Sequence, residues 1–395
     1  MVAAMALSFL AIHSQENGVG GPAPRGGARF PAGRRGHSIA ERRNREFTMS
    51  THAKVRAIVA AAGLVALATA PALADGEVNV YSYRQPSLIQ PLLDRFTAET
   101  GIKTNVVSAS SGLEERIAAE GANSPADVLM TVDIGRLDGA KQLGITQPIV
   151  SEVVAANVPA QYRDPDGAWV GLTLRARVIY ASKDRVGQDT ITYEELADPK
   201  WKGKICTRSG QHVYNIGLFA SLIANDGAEK AEETIKGIKE NLAVKPAGGD
   251  RDQAKAILAG ECDLALGNTY YVGLMATNEK EPEQKEWAQA IKVLFPNTEG
   301  RGTHVNISGA SLAKNAPNRD NAVKLIEFLT SDEAQEIYAN TNFEYPVKPG
   351  LEVNEIVASW GELKPDPLPL ATIAADRKEA SEIVDKVGYD DGPSS

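Results

Sequence analysis

Glu77-Val78-Asn79-Val80-Tyr81-Ser82-Tyr83 opens the stretch that decides the fold. Apolar and polar residues alternate through it, and valine and tyrosine favour a pleated chain, so it reads as a strand. After Arg84-Gln85-Pro86 the period changes. Leu88, Ile89, Leu92, Leu93 and Phe96 recur at helical spacing until Gly101, a residue suited to the position just past a helix end. Residues 104–107 resume a strand. Strand, helix and strand in that order make a βαβ unit with a parallel pair and a right-handed crossover. Open α/β sheets hold their ligands at the loops beyond the carboxyl ends of such strands, and Arg84 stands in one of those loops.

The pattern continues. Ser108-Ala109-Ser110-Ser111-Gly112 leads into a helix over 113–120, Ala126-Asp127-Val128-Leu129-Met130 is the next strand, and Asp133 is placed to cap a helix from Ile134. A turn-rich break at 161–170 precedes a long strand at 172–181. Coming after a complete α/β half, that strand reads as a crossing between two lobes. A second half runs to about residue 300, and Gly300-Arg301-Gly302-Thr303-His304-Val305-Asn306-Ile307-Ser308 reads as the return strand. Helices at 324–330, 332–340 and 376–386 complete the first half. The expected fold class is α/β, with residues 75–174 and 301–395 in one lobe and 175–300 in the other.

The first 74 residues stand apart. Residues 1–48 are rich in Gly, Arg and Pro without apolar periodicity, and read as a disordered or spurious extension. From Met49 a basic start (Lys54, Arg56), an uncharged apolar run at 57–70 and the small-residue site Ala72-Leu73-Ala74 form an export signal over 49–74. The apolar run is shorter than the ~20 residues of a spanning helix. The expected location is therefore the periplasm. Without residues 1–74, 42 basic and 51 acidic residues become 33 and 48. Such an acidic chain is a poor partner for nucleic acid.

Two cysteines, Cys206 and Cys262, remain in an oxidising compartment, where an even count favours a disulfide over two separate buried thiols. Each lies eight residues before a conspicuous tyrosine. Gly267-Asn268-Thr269-Tyr270-Tyr271-Val272-Gly273 puts two adjacent phenols where an apolar strand turns into a helix, and Tyr214 holds the equivalent place after the short strand at 204–208. Three phenols at one cleft suit a hard trivalent cation, which prefers oxygen donors. Tyr81, Tyr83, Tyr162, Tyr180, Tyr193, Tyr338 and Tyr345 read as ordinary packed side chains. His212 and His304, the histidines left after residue 74, read as structural, and Glu114 and Asp133 as solvated or capping carboxylates.

Val80-Tyr81-Ser82-Tyr83-Arg84-Gln85-Pro86, Leu174-Arg175-Ala176-Arg177-Val178, Val213-Tyr214-Asn215, Asn268-Thr269-Tyr270-Tyr271 and the run from Gly300 to Gly309 together resemble the periplasmic ferric-ion-binding proteins of the FbpA/FutA type. The resemblance covers essentially all of 76–395. It implies a two-lobed type II periplasmic binding protein fold, each lobe a mixed, mostly parallel sheet flanked by helices, with the ligand in the cleft between lobes. It also implies a monomeric substrate-binding component that delivers Fe3+ to an ABC transporter permease in the inner membrane. Tyr214, Tyr270 and Tyr271 match the family's tyrosinate ligands. Members with four or five protein ligands carry histidine or tyrosine just after the arginine of the first loop. Gln85 and Pro86 stand there instead, as in the subgroup that completes the shell with a synergistic anion such as carbonate.

Arg84 can offer a planar oxyanion a bidentate fork, with Gln85 and, from the long strand, Arg175 as further anion contacts. Arg175 and Arg177 are two apart on a strand and so share a face. For Arg84 a salt bridge is an equally good reading. Two other functions stay open at this point. The same fold could bind a small anion such as a phosphonate without metal, or the chain could be a secreted hydrolase. Against the hydrolase stand the missing Gly-x-Ser-x-Gly elbow and His-Glu-x-x-His helix, so no enzymatic activity is expected.

Overall fold

The computed structural model describes residues 76–393. The expected extension at 1–48 and the export signal at 49–74 lie outside the described residues. The strands are β1 (Glu77–Ser82), β2 (Lys103–Ser108), β3 (Val128–Thr131), β4 (Thr146–Gln147), β5 (Val170–Ser182), β6 (Ile205–Cys206), β7 (Leu264–Asn268), β8 (Ile291–Leu294), β9 (Val305–Ala313) and β10 (Tyr345–Pro346). Hydrogen bonding orders the main path β2-β1-β3-β9-β5-β7-β6.

β1 pairs in parallel with β2 and β3, as the opening βαβ unit requires. The helix Pro86–Thr100 lies between β1 and β2. It starts with proline in its first turn and stops at Gly101, whose φ of 74° is the left-handed conformation that glycine adopts without strain. The alternation in β1 is used on both faces. Val78 and Val80 bury with Ile89, Leu92, Leu93 and Phe96 in the main core, while Tyr81 packs with Leu113, Ile117 and Leu129 in a smaller one. Each such fully buried aliphatic side chain contributes roughly 1.5–3 kcal/mol.

β5 is the long crossing strand. Residues 170–176 pair with β9, and residues 177–182 with β7 and β8, so one continuous strand belongs to two sheets. All thirteen of its residues are buried. β9 likewise runs back through the first sheet, antiparallel to β3 and β5. Among the named strands of the described residues, parallel pairing is confined to β2-β1-β3 and β6-β7, and the centre of the mixed sheet is antiparallel. The cause is that β5 and β9 carry the chain out of the first sheet and back again. Among the described residues no helix is long and apolar enough to cross a membrane.

Candidate functional site

The tyrosine loops are built by two adjacent strands. β6 and β7 pair in parallel, with Cys206 beside Ala265, and a disulfide joins Cys206 to Cys262 across a Cα separation of 5.8 Å. β7 passes directly into the helix Thr269–Ala276, which puts Tyr270 and Tyr271 on its first turn. The junction is held by Tyr180, whose hydroxyl donates to the Asn268 carbonyl at 2.5 Å, and by Asp250, which accepts the Asn268 N–H at 2.8 Å. Tyr214 is on the first turn of the helix Val213–Asp226. His212 caps that helix, its Nδ1 accepting the Tyr214 N–H at 3.2 Å, and its ring stands edge-on to Tyr214 at 4.6 Å.

Strand adjacency thus brings together phenols 56 residues apart. The Tyr214 and Tyr270 hydroxyl oxygens are 3.2 Å from one another, and the Tyr270 and Tyr271 rings are tilted at a centroid distance of 4.2 Å. Each ring has its own guanidinium nearby: Arg208 at 5.2 Å from Tyr214, Arg175 at 5.9 Å from Tyr270 and Arg251 at 4.9 Å from Tyr271. Of these, Arg175 favours a Tyr270 phenolate. Burial opposes it and wins: the Tyr270 hydroxyl is pushed well above the ordinary tyrosine value by desolvation, then by Tyr214 and Tyr271, and Tyr271 is raised by desolvation, then by Tyr214 and Asp250, against a hydrogen bond with Tyr270.

The phenols face a cavity of about 80 Å³ lined also by Arg84, Gln85 and Arg175. That volume holds an ion and a small planar anion, and is far below the roughly 300–1,000 Å³ of a drug-sized ligand pocket. It lies beside a wider mouth of about 420 Å³ lined by Ser108, Ser110, Arg136 and His212. Arg84 is 5 % exposed, donates to Ser308 Oγ and forms a 2.9 Å ion pair with Glu344. The salt bridge left open by sequence therefore exists, on a side chain that also lines the cavity. Arg175 donates to the Val132 carbonyl at 2.6 Å and to Ser308 Oγ at 2.9 Å. Arg177, on the same strand face, is taken up instead by Asp250 at 2.6 Å and Asn215 at 2.7 Å.

Three polar lining residues carried no signal in the sequence that marked them for the site. Tyr83, read as a packing residue, opens onto the cavity with its hydroxyl donating to Glu114 and accepting the Leu113 N–H at 2.6 Å. Arg251 and Glu344 arrive from a helix and from the approach to β10, without a motif to mark them. Glu114, expected to be solvated or capping, is instead buried and accepts from Tyr83, whereas the structural readings of Asp133 and His304 agree with their contacts. Asp133 caps its helix by accepting the Gly135 N–H at 2.8 Å, and His304 is buried at the head of β9. Desolvation lowers the His304 pKa to about 3.

The model of the bacterial extracellular solute-binding proteins matches residues 81–336. Iron uptake protein A1 of Synechocystis is 49% identical over 315 residues, which cover 79% of this chain and 87% of that protein. Among solved structures, a Bordetella ferric binding protein is 55% identical, with a TM-score of 0.75 over 80% of this chain and 99% of the other. A Trichodesmium protein solved in complex with iron and citrate is 44% identical, with a TM-score of 0.76 over 80% of this chain and all of that one. A two-lobed α/β architecture, a phenol-lined cavity and these similarities lead to one assignment: the chain belongs to the bacterial extracellular solute-binding proteins, in the group that contains the iron uptake and ferric-binding proteins.

Proposed function

We propose that the chain is a periplasmic, monomeric carrier that captures Fe3+ through the phenolates of Tyr214, Tyr270 and Tyr271 and delivers it to an ABC permease in the inner membrane. The observation that carries this reading is the convergence of the phenols, with the Tyr214 and Tyr270 oxygens 3.2 Å apart in one small cavity. Neutral phenols are poor ligands. A trivalent ion makes their deprotonation favourable, as bound metals do for water and thiols. Three phenolates cancel the ion's charge, and a synergistic anion such as carbonate completes the shell against Arg84, Gln85 and Arg175. In this reading the described parts of residues 75–174 and 301–395 form one wall of the cleft and residues 175–300 the other.

The test is optical. Adding ferric ion with bicarbonate to the processed chain produces a visible phenolate-to-iron charge-transfer band, and Tyr270→Phe removes most of it. A colourless protein whose iron affinity is untouched by Tyr270→Phe rejects the metal reading. Binding of a small anion under those conditions would instead mark the cavity as a metal-free anion site.

A further inference from the structure

Glu344 is 2 % exposed, and its carboxylate stands between the two arginines of the cavity wall. It accepts from Arg84 Nη2 at 2.9 Å and from Thr173 Oγ1 at 2.7 Å, and lies 4.0 Å from Arg175 Nε. Arg175 Nε is buried without a hydrogen-bond partner. The same carboxylate lines the cavity that holds the tyrosines. Phe343, directly before it, ends the helix Asp332–Asn342 with a φ of 55°, a conformation that bulky residues rarely adopt. Its ring is seated against Gly273 of the tyrosine helix, where any Cβ would fall inside the ring. The left-handed residue that closes this helix and packs on the tyrosine helix is thus the one directly before Glu344.

The charges at the site make this placement consequential. With three phenolates balancing a trivalent ion, Arg84, Arg175 and Arg251 line the cavity with positive charge for an anion, and Glu344 offsets the part of it carried by Arg84. We propose that Glu344 is a resident carboxylate that competes with the exogenous anion for Arg84. It thereby weakens retention of the anion and favours a monoanion over a dianion. Glu344 is in this sense a positioning and specificity-determining residue, and the inference rests on the ferric reading above. An oxyanion bridging the ion and Arg84 must displace the carboxylate or share the guanidinium fork with it. A dianion held at Arg84 beside the Glu344 carboxylate sets like charges against one another in a buried site, which is costly, and more so than for a monoanion.

The experiment compares the wild-type processed chain with Glu344→Gln and Thr173→Val. The charge-transfer band is titrated with bicarbonate, then with acetate and oxalate as monoanion and dianion, and iron removal by an external chelator is timed. In Glu344→Gln the half-saturating bicarbonate concentration falls at least tenfold, the oxalate-over-acetate preference rises by a similar factor, and iron removal slows. Thr173→Val, which loosens Glu344 from outside the cavity, shifts the same quantities in the same direction by less. A coloured wild type with unchanged anion midpoints and preference in Glu344→Gln overturns the inference alone. So does a loss equal for every anion, since that is what a purely structural residue gives. If Glu344→Gln does not fold, an unshifted Thr173→Val overturns it. A wild type that stays colourless with iron overturns the inference together with the ferric reading.

Discussion

A phenol binds a metal only once its proton has left, and burial at Tyr270 and Tyr271 makes that departure harder. Iron loading must therefore expel protons. At neutral pH about three are expected from the phenols per ion bound, measurable as base consumed in an unbuffered titration. Because both phenol pKa values are raised, falling pH favours the protonated ligand, and apparent iron affinity declines steeply with acidification. Tyr83 offers a contrast within the same cavity. Its hydroxyl is occupied by Glu114 and Leu113, so Tyr83→Phe should keep the charge-transfer band and cost about 1 kcal/mol of stability in a denaturant melt. His304 sets a second pH dependence. Its pKa is about 3 in the folded chain against an ordinary value of about 6.5. Between those limits the unfolded chain binds a proton that the folded chain excludes. Stability is thus lost as pH falls from about 6.5 towards 3, and His304→Gln should flatten that part of the acid-unfolding curve.

At the scale of elements, the disulfide and the helix contacts carry the geometry. Cys206 and Cys262 tie β6 to β7 and close a sequence separation of 56. A cross-link of that span stabilises by about 4 kcal/mol in the chain-entropy account. The Cys206→Ser, Cys262→Ser double variant should lose stability of that order in denaturant, and should also loosen the Tyr214–Tyr270 approach, read as a weaker charge-transfer band at limiting iron. Gly273→Ala would test the Phe343 seat. Its new methyl group overlaps the ring, and the strain should cost roughly 1–3 kcal/mol while displacing Tyr270 and Glu344 together. The strands and helices themselves were largely legible. The period of Leu88 to Phe96, Gly101 as the stop and the long run of apolar and arginine residues in β5 are local patterns, and the structure follows them. What local pattern left out was the antiparallel centre of the sheet, because pairing depends on where β5 and β9 return in space.

For the whole molecule, the cavity is walled from both sides of the crossing strand. Arg84, Val132 and Glu344 come from one sheet, and Tyr214, Tyr270 and Tyr271 from the other. Ferric loading should therefore contract the molecule, seen as a smaller radius of gyration in solution scattering, with no contraction in Tyr270→Phe. The amino-acid order alone determined the α/β alternation, the strand-to-helix turns that carry Tyr214 and Tyr270, and the phenol chemistry suited to a hard cation. Those are short-range properties, set by periodicity and by side-chain type. Only the tertiary structure decided that Arg84 is already paired with Glu344, that Arg177 belongs to Asp250 while Arg175 lines the cavity, and that Tyr83 and Arg251 border it. A guanidinium's partner is chosen by which carboxylate the fold buries beside it, and in Arg84 and Glu344 the partners lie 260 residues apart along the chain.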